Sequence, residues 1–164
     1  MSRLLATFFG AGLLPLAPGT WGSAAALPVA WVIHALGGFP ALAVATLVAF
    51  LAGWWATQAQ IRGKAEKDPS EIVIDEVVGM WLALWPLSAG LWHAGAEPWL
   101  FPWPGWVGGF VMFRLFDVWK PWLVARADGR GDALGVMLDD VVAGLFAALV
   151  VAAAAFVAHG VMGV

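Results

Sequence analysis

The 164-residue chain contains no cysteine and no tyrosine, and only 12% of its residues are charged. Without cysteine there is no disulfide framework, no thiolate nucleophile and no sulfur-ligated metal. An ordinary soluble domain carries about 25% charged residues. At half that share, this chain has too few polar side chains to cover a soluble surface. The net charge of −3 also lacks the basic excess that a nucleic-acid binder needs. What remains is apolar: 62% of the residues are hydrophobic, and twelve are tryptophan. That content excludes a disordered chain. It points to an all-α fold in one domain over residues 1–164: a compact polytopic membrane helix bundle with about four spanning helices plus a short N-terminal helix.

A spanning helix needs about 20 mostly apolar residues. Ala41–Gln60 and Leu134–Ala158 satisfy this. Ile72–Trp92 does too, although Asp75 and Glu76 lie near its start. Trp99–Trp119 carries Arg114 and Asp117 near its end. Gly22–Leu36 is short and contains Pro28, and Arg3–Leu14 is too short to span. Gly37–Pro40 reads as a tight turn and Pro15–Trp21 as a loop. With Arg62–Ser70 placed inside, all eight Lys and Arg residues fall at the inner face: Arg3, Arg62, Lys64, Lys67, Arg114, Lys120, Arg126 and Arg130. This one-sided pattern orients the chain. Ten of the eleven acids lie between Glu66 and Asp140 on the same side, and only Glu97 lies outside. His34, His93 and His159 sit near the outer ends, as interfacial or capping residues.

Charge inside a membrane helix costs roughly 2.5 to 3.5 kcal/mol per residue, so it marks function by default. Asp68-Pro-Ser-Glu71 has the form of a helix start closed by a capping box. Asp75 and Glu76 would then lie about two turns inside, where no cap explains them. Arg114, Asp117 and Lys120, spaced by three, share a helix face, and Pro121 ends that helix. Asp139 and Asp140 open a long apolar helix. A helix dipole explains one such carboxylate but not two. Gly79 and Gly144 follow the two acid pairs at similar spacing (DEVVG and DDVVAG). Small residues there would let the helices approach and bring the acids together.

If ionised, Asp75, Glu76, Asp117, Asp139 and Asp140 outweigh Arg114 and Lys120 by three charges. Such a half-buried cluster needs protons or a cation. Oxygen ligands alone suit a hard ion, Mg²⁺ or Mn²⁺. Arg114 and Lys120 are placed to hold a phosphate. The chemistry implied is metal-assisted phosphoryl transfer or hydrolysis at the inner face. Cysteine, phosphohistidine, Asp-x-Asp and P-loop mechanisms each lack their residues here. The base could be Asp75, Glu76, Asp139 or Asp140, and the sequence does not choose.

Three motifs resemble those of the phosphatidylglycerophosphatase A family. They are Ala17-Pro-Gly-Thr-Trp-Gly-Ser23, Asp68 to Gly79, and Phe113 to Pro121 followed by Gly135 to Gly144. The resemblance runs from about Leu13 to Ala148. It departs at Leu123, where a second proline is usual, and at Asp132-Ala133 within the glycine-rich stretch. It implies Mg²⁺-dependent hydrolysis of the terminal phosphate of phosphatidylglycerophosphate at the cytosolic face of the bacterial inner membrane, with a phospholipid as substrate. It further implies acidic site residues at Asp68, Asp75, Glu76, Asp117, Asp139 and Asp140. Phosphate contacts fall on Arg114 and Lys120, with Thr20 and Ser23 in the first motif. The residues alone had given a loop there, with Ser23 as a cap. A CDP-alcohol phosphotransferase would need Ala-Arg after Asp128-Gly129, which is absent. The remaining alternative is a small ion-coupled transporter whose buried acids carry protons or cations.

Overall fold

The computed structural model describes residues 1–64, 69–100 and 102–162, with side chains as far as residue 158. Asp68 and its proposed cap therefore lie outside the described residues. Among the described residues all regular structure is helical. The helices are α1 (Ser2–Ala6), α2 (Pro18–Ile61), α3 (Ile74–His93), α4 (Trp103–Trp119), α5 (Trp122–Asp128) and α6 (Ala133–Met162), with a 3₁₀ turn at Ala11–Leu13.

Helix α2 is two helices in one. Pro18 opens it at a position where a missing N–H costs nothing. The helical geometry breaks at Gly38, with φ 65° and ψ −161°, a conformation essentially reserved for glycine. A side chain there would also collide with the Trp92 indole. The arms on either side, residues 18–37 and 39–61, pack on α3 in opposite order. On the first arm, Gly22 lies against Val73, Ala26 accepts a hydrogen bond from the Trp81 indole (3.0 Å), and His34 bonds Ser88 (2.7 Å). On the second, Thr46 meets Trp85 (3.2 Å) and Gly53 meets Ile74. The chain thus folds back on itself at the expected Gly37–Pro40 turn. His34 is correspondingly buried within the bundle, not interfacial.

Helix α3 is the central element. Val77, Val78, Met80, Ala83 and Leu84 are fully buried or nearly so. It bends by 43° between residues 74–83 and 85–93. Pro86 explains the bend, because it removes a backbone donor and crowds the preceding turn. Around it stand the two arms of α2, α4 and α6. Their outer surfaces are apolar: Leu36, Val44, Leu47, Val111, Leu149 and Phe156 are all exposed. A helix apolar on all sides is at home in lipid. Six exposed tryptophans lie toward the two ends, Trp21, Trp119 and Trp122 at one and Trp92, Trp99 and Trp103 at the other, as in interfacial belts, while Trp54 and Trp55 are exposed within α2. By length and apolarity α2 and α6 can each cross a membrane, and α3 makes a third if its bent halves count as one span.

Three local expectations are corrected. Helix α3 begins at Ile74, not near Asp68, because the chain before it is tied to the N-terminal segment. The Val73 N–H donates to the Ala6 carbonyl (2.9 Å), and Arg3 pairs with Glu71 (2.9 Å). Glu71 therefore does not close a capping box. Ser23 is not a cap either, since α2 has already begun five residues earlier. Asp139 and Asp140 do not open α6. The helix starts at Ala133, and Asp132 accepts the Gly135 N–H (2.7 Å) in the capping role. The departure at Asp132-Ala133 is thus a helix start.

Candidate active site

The acids converge where α3 and α6 cross, at the end of the bundle that holds Arg3, Arg114 and Lys120. The crossing is close because Gly79 and Gly144 face each other. A Cβ on Gly79 would stand 2.6 Å from the Asp140 carbonyl oxygen and 2.5 Å from the Phe113 ring, and a Cβ on Gly144 would collide with the Gly79 backbone. Asp75 and Glu76 occupy the first turn of α3, where the exposed N–H groups favour negative charge. Asp140 reaches them from about two turns inside α6. The three residues offer carboxylate oxygens that all lie within 4.8 Å of one another.

Asp75 and Asp140 are buried and Glu76 is nearly so. Glu76 Oε2 and Asp140 Oδ1 are buried without a hydrogen-bond partner. A lone unsatisfied buried polar group costs about 1–3 kcal/mol, and more if charged. Two such oxygens in one cluster, both acceptors when ionised, suit a hard dication with oxygen preference. Asp75, Glu76 and Asp140 are therefore the residues that could hold a metal.

Two cations lie at this end, Arg114 near Glu76 and Lys120 on Asp139, the neighbour of Asp140. Arg114 forms an ion pair with Asp117 one turn along α4 and donates to Ser23 Oγ at 3.4 Å. Asp117 lies within electrostatic reach of both Glu76 and Asp140. Ser23 is fully buried, and its hydroxyl donates to the Gly19 carbonyl (2.8 Å). It backs Arg114 from behind. Thr20 sits half-buried on the first turn of α2. Lys120 caps α4 in the left-handed region (φ 46°, ψ 58°). The following Pro121 disfavours a helical conformation at that residue. The turn aims the ammonium back at α6, where it donates to Asp139 (3.1 Å) and also pairs with Asp128 on α5. Burial disfavours its charged form, but those two carboxylates outweigh burial and raise its pKa above the ordinary lysine value.

Neighbours in sequence thus take separate partners. Asp140 joins the trio and Asp139 serves Lys120, because adjacent helical residues point about 100° apart. Two contributors escaped the sequence. Gly19 presses its backbone against the Glu76 carboxylate and the Arg114 guanidinium, leaving no room for a side chain. The available signal was its place in the Pro-Gly-Thr run. Asp128 holds Lys120 across the Pro121 turn, so helical spacing could not reveal the pair.

The profile of the phosphatidylglycerophosphatase A family matches residues 4–155. The chain is 34% identical over 148 residues to phosphatidylglycerophosphatase A of Escherichia coli, covering 89% of this chain and 78% of that one. It is 33% identical over 150 residues to phosphatidylglycerophosphatase A of Haemophilus influenzae, covering 91% and 85%. It is also 35% identical over 161 residues, covering 94% and 93%, to a Bacteroides thetaiotaomicron protein that carries a phosphatidylinositol-3-phosphatase name. No solved structure matches the chain.

Proposed function

The chain belongs to the phosphatidylglycerophosphatase A family and is a phosphatase, and from that premise we propose its substrate, cofactor and placement. The substrate is phosphatidylglycerophosphate. Hydrolysis releases phosphatidylglycerol and inorganic phosphate at the cytosolic face of the bacterial inner membrane, with Mg²⁺ as cofactor. The observation that carries this is the Asp75–Glu76–Asp140 trio, with Arg114 meeting Glu76 at Gly19 and Lys120 bound to the adjacent Asp139, at the basic end of an apolar bundle.

The remaining roles follow from the chain's own groups. Asp75, Glu76 and Asp140 would hold the Mg²⁺. When bound, the ion supplies charge neutralisation and Lewis-acid polarisation of a phosphate oxygen. Arg114 offers a planar fork of donors suited to two phosphate oxygens, and Ser23 and Asp117 fix its plane. Lys120 contributes a point charge at the mouth. Gly19 lets the α2 backbone close the wall behind Glu76. The two arms of α2, α3 and α6 form the four crossing segments, with the 17-residue α4 beside them. The basic end faces the cytosol by the positive-inside rule.

Purified full-length chain in detergent should release inorganic phosphate from phosphatidylglycerophosphate with Mg²⁺, and stop when EDTA is added. Absence of release would overturn the proposal. So would faster release from phosphatidylinositol 3-phosphate, the comparison that the Bacteroides relative calls for.

A further inference from the structure

Lys120 is held from two sides. Its Nζ lies 3.1 Å from Oδ2 of the buried Asp139 and pairs with the half-exposed Asp128. Asp128 closes α5, a seven-residue helix bounded by Pro121 and Gly129. That helix packs along α6, so Asp128 is carried on a support tied to the same helix that bears Asp139 and Asp140. An ammonium has three N–H donors. Two are committed here, one to each carboxylate.

We infer that Asp128 is a positioning residue for the phosphatase reaction, one that fixes the Lys120 ammonium at the mouth of the carboxylate pocket so that its third N–H faces the incoming phosphate. The inference rests on the function proposed above. A lysine stem is a flexible four-carbon chain ending in a hydrated point charge. One carboxylate anchors such a charge but leaves it free to swing, whereas two on opposite sides fix it at a point. The left-handed turn at Lys120 starts the stem in this direction, and Asp128 completes the hold. Without Asp128 the ammonium has only Asp139, and it collapses inward onto an acid that the phosphate must then displace. Among the described residues, the hydrogen bond and ion pair of Asp128 go to Lys120 and not to Glu76, Asp140 or Arg114, so its loss should touch phosphate capture and not bond cleavage.

The test is steady-state kinetics on the full chain in detergent with phosphatidylglycerophosphate and Mg²⁺. Asp128→Asn should raise KM about fivefold, the upper range for a partly exposed ion pair, with kcat within twofold. Asp128→Glu, which keeps the carboxylate, should recover most of the loss. Asp132→Asn removes one charge from the link between α5 and α6 while keeping a capping oxygen, and should leave KM unchanged. An unchanged or lowered KM in Asp128→Asn overturns the inference. So does a fall in kcat matched by a fall in melting temperature, which would mark a purely structural ion pair. If unaltered protein releases no phosphate, the functional reading fails first, and the two failures are thereby distinct.

Discussion

The sharpest test of the α3–α6 crossing is a single methyl group at Gly79. Built on this backbone, an alanine Cβ stands 2.6 Å from the Asp140 carbonyl oxygen and 2.5 Å from the Phe113 ring. Ordinary contact begins near 3.4 Å, so α6 must retreat by about 0.8 Å at the residue that supplies one carboxylate of the trio. Neither neighbour yields easily: one is backbone, and Phe113 is fully buried. Overpacking of this kind costs about 1–3 kcal/mol. Alanine returns about 0.8–1 kcal/mol of helix propensity, so the net loss of stability lies between about zero and about 2 kcal/mol. Activity is the more sensitive readout, because a displacement of about 1 Å in a reacting constellation costs on the order of 100-fold. Phosphate release should therefore fall by about that factor in Gly79→Ala, while the melting temperature in detergent falls by no more than about 8 °C. Gly108→Ala on α4 is the matched control, since nothing lies within 4 Å of its added methyl, and it should retain full activity. If Gly79→Ala keeps more than half of the unaltered rate, the glycine contact does not set the carboxylate geometry.

Three further outcomes follow from the same geometry. Gly19→Ala places a methyl against the Glu76 carboxylate and the Arg114 guanidinium, and kcat/KM should drop at least about tenfold, since the side chains rather than the fold give way. Arg114→Lys keeps the charge but loses the planar guanidinium, whose Nη1 alone serves Asp117 and Ser23 and leaves its other N–H groups for phosphate; KM should rise by about tenfold, the scale of one lost charge-assisted hydrogen bond. The Asp132 carboxylate is held below the ordinary value of 3.8, first by Arg130 and then by the Gly135 N–H. A depressed pKa stabilises the fold above the unfolded-state value and loses that effect as pH falls through the folded one. Melting temperature should thus be flat near neutral pH and decline in acid, and Asp132→Asn should shrink the decline.

Much of the architecture was legible because membrane insertion is written in composition and spacing. The one-sided placement of basic residues and the run of apolar segments identified a helical bundle before any contact was known. Gly37–Pro40 announced the turn that folds α2 on itself, as only glycine accepts the backbone found at Gly38. The paired glycines announced the close crossing of α3 and α6. Helix starts were read less well. Asp68-Pro-Ser-Glu71 has the local chemistry of a cap, but Arg3, 68 residues from Glu71, and Ala6, bonded to Val73, tie the residues just before α3 to the N-terminal segment. Local propensity is a weak prior against such tertiary contacts.

The sequence by itself marked the acids and bases that lie inside apolar segments as candidates, because charge there is too costly to be incidental. Tertiary structure alone decided how they divide. Asp139 and Asp140 are neighbours in the chain, yet one neutralises Lys120 and the other joins Asp75 and Glu76. That choice is made by helix rotation at the crossing, where a Cβ on Gly79 would stand 2.6 Å from the Asp140 carbonyl oxygen. The glycine spacing announces the crossing but does not encode which carboxylate the packing turns toward α3. The same holds for Asp128, which meets Lys120 only because Pro121 turns the chain back upon itself.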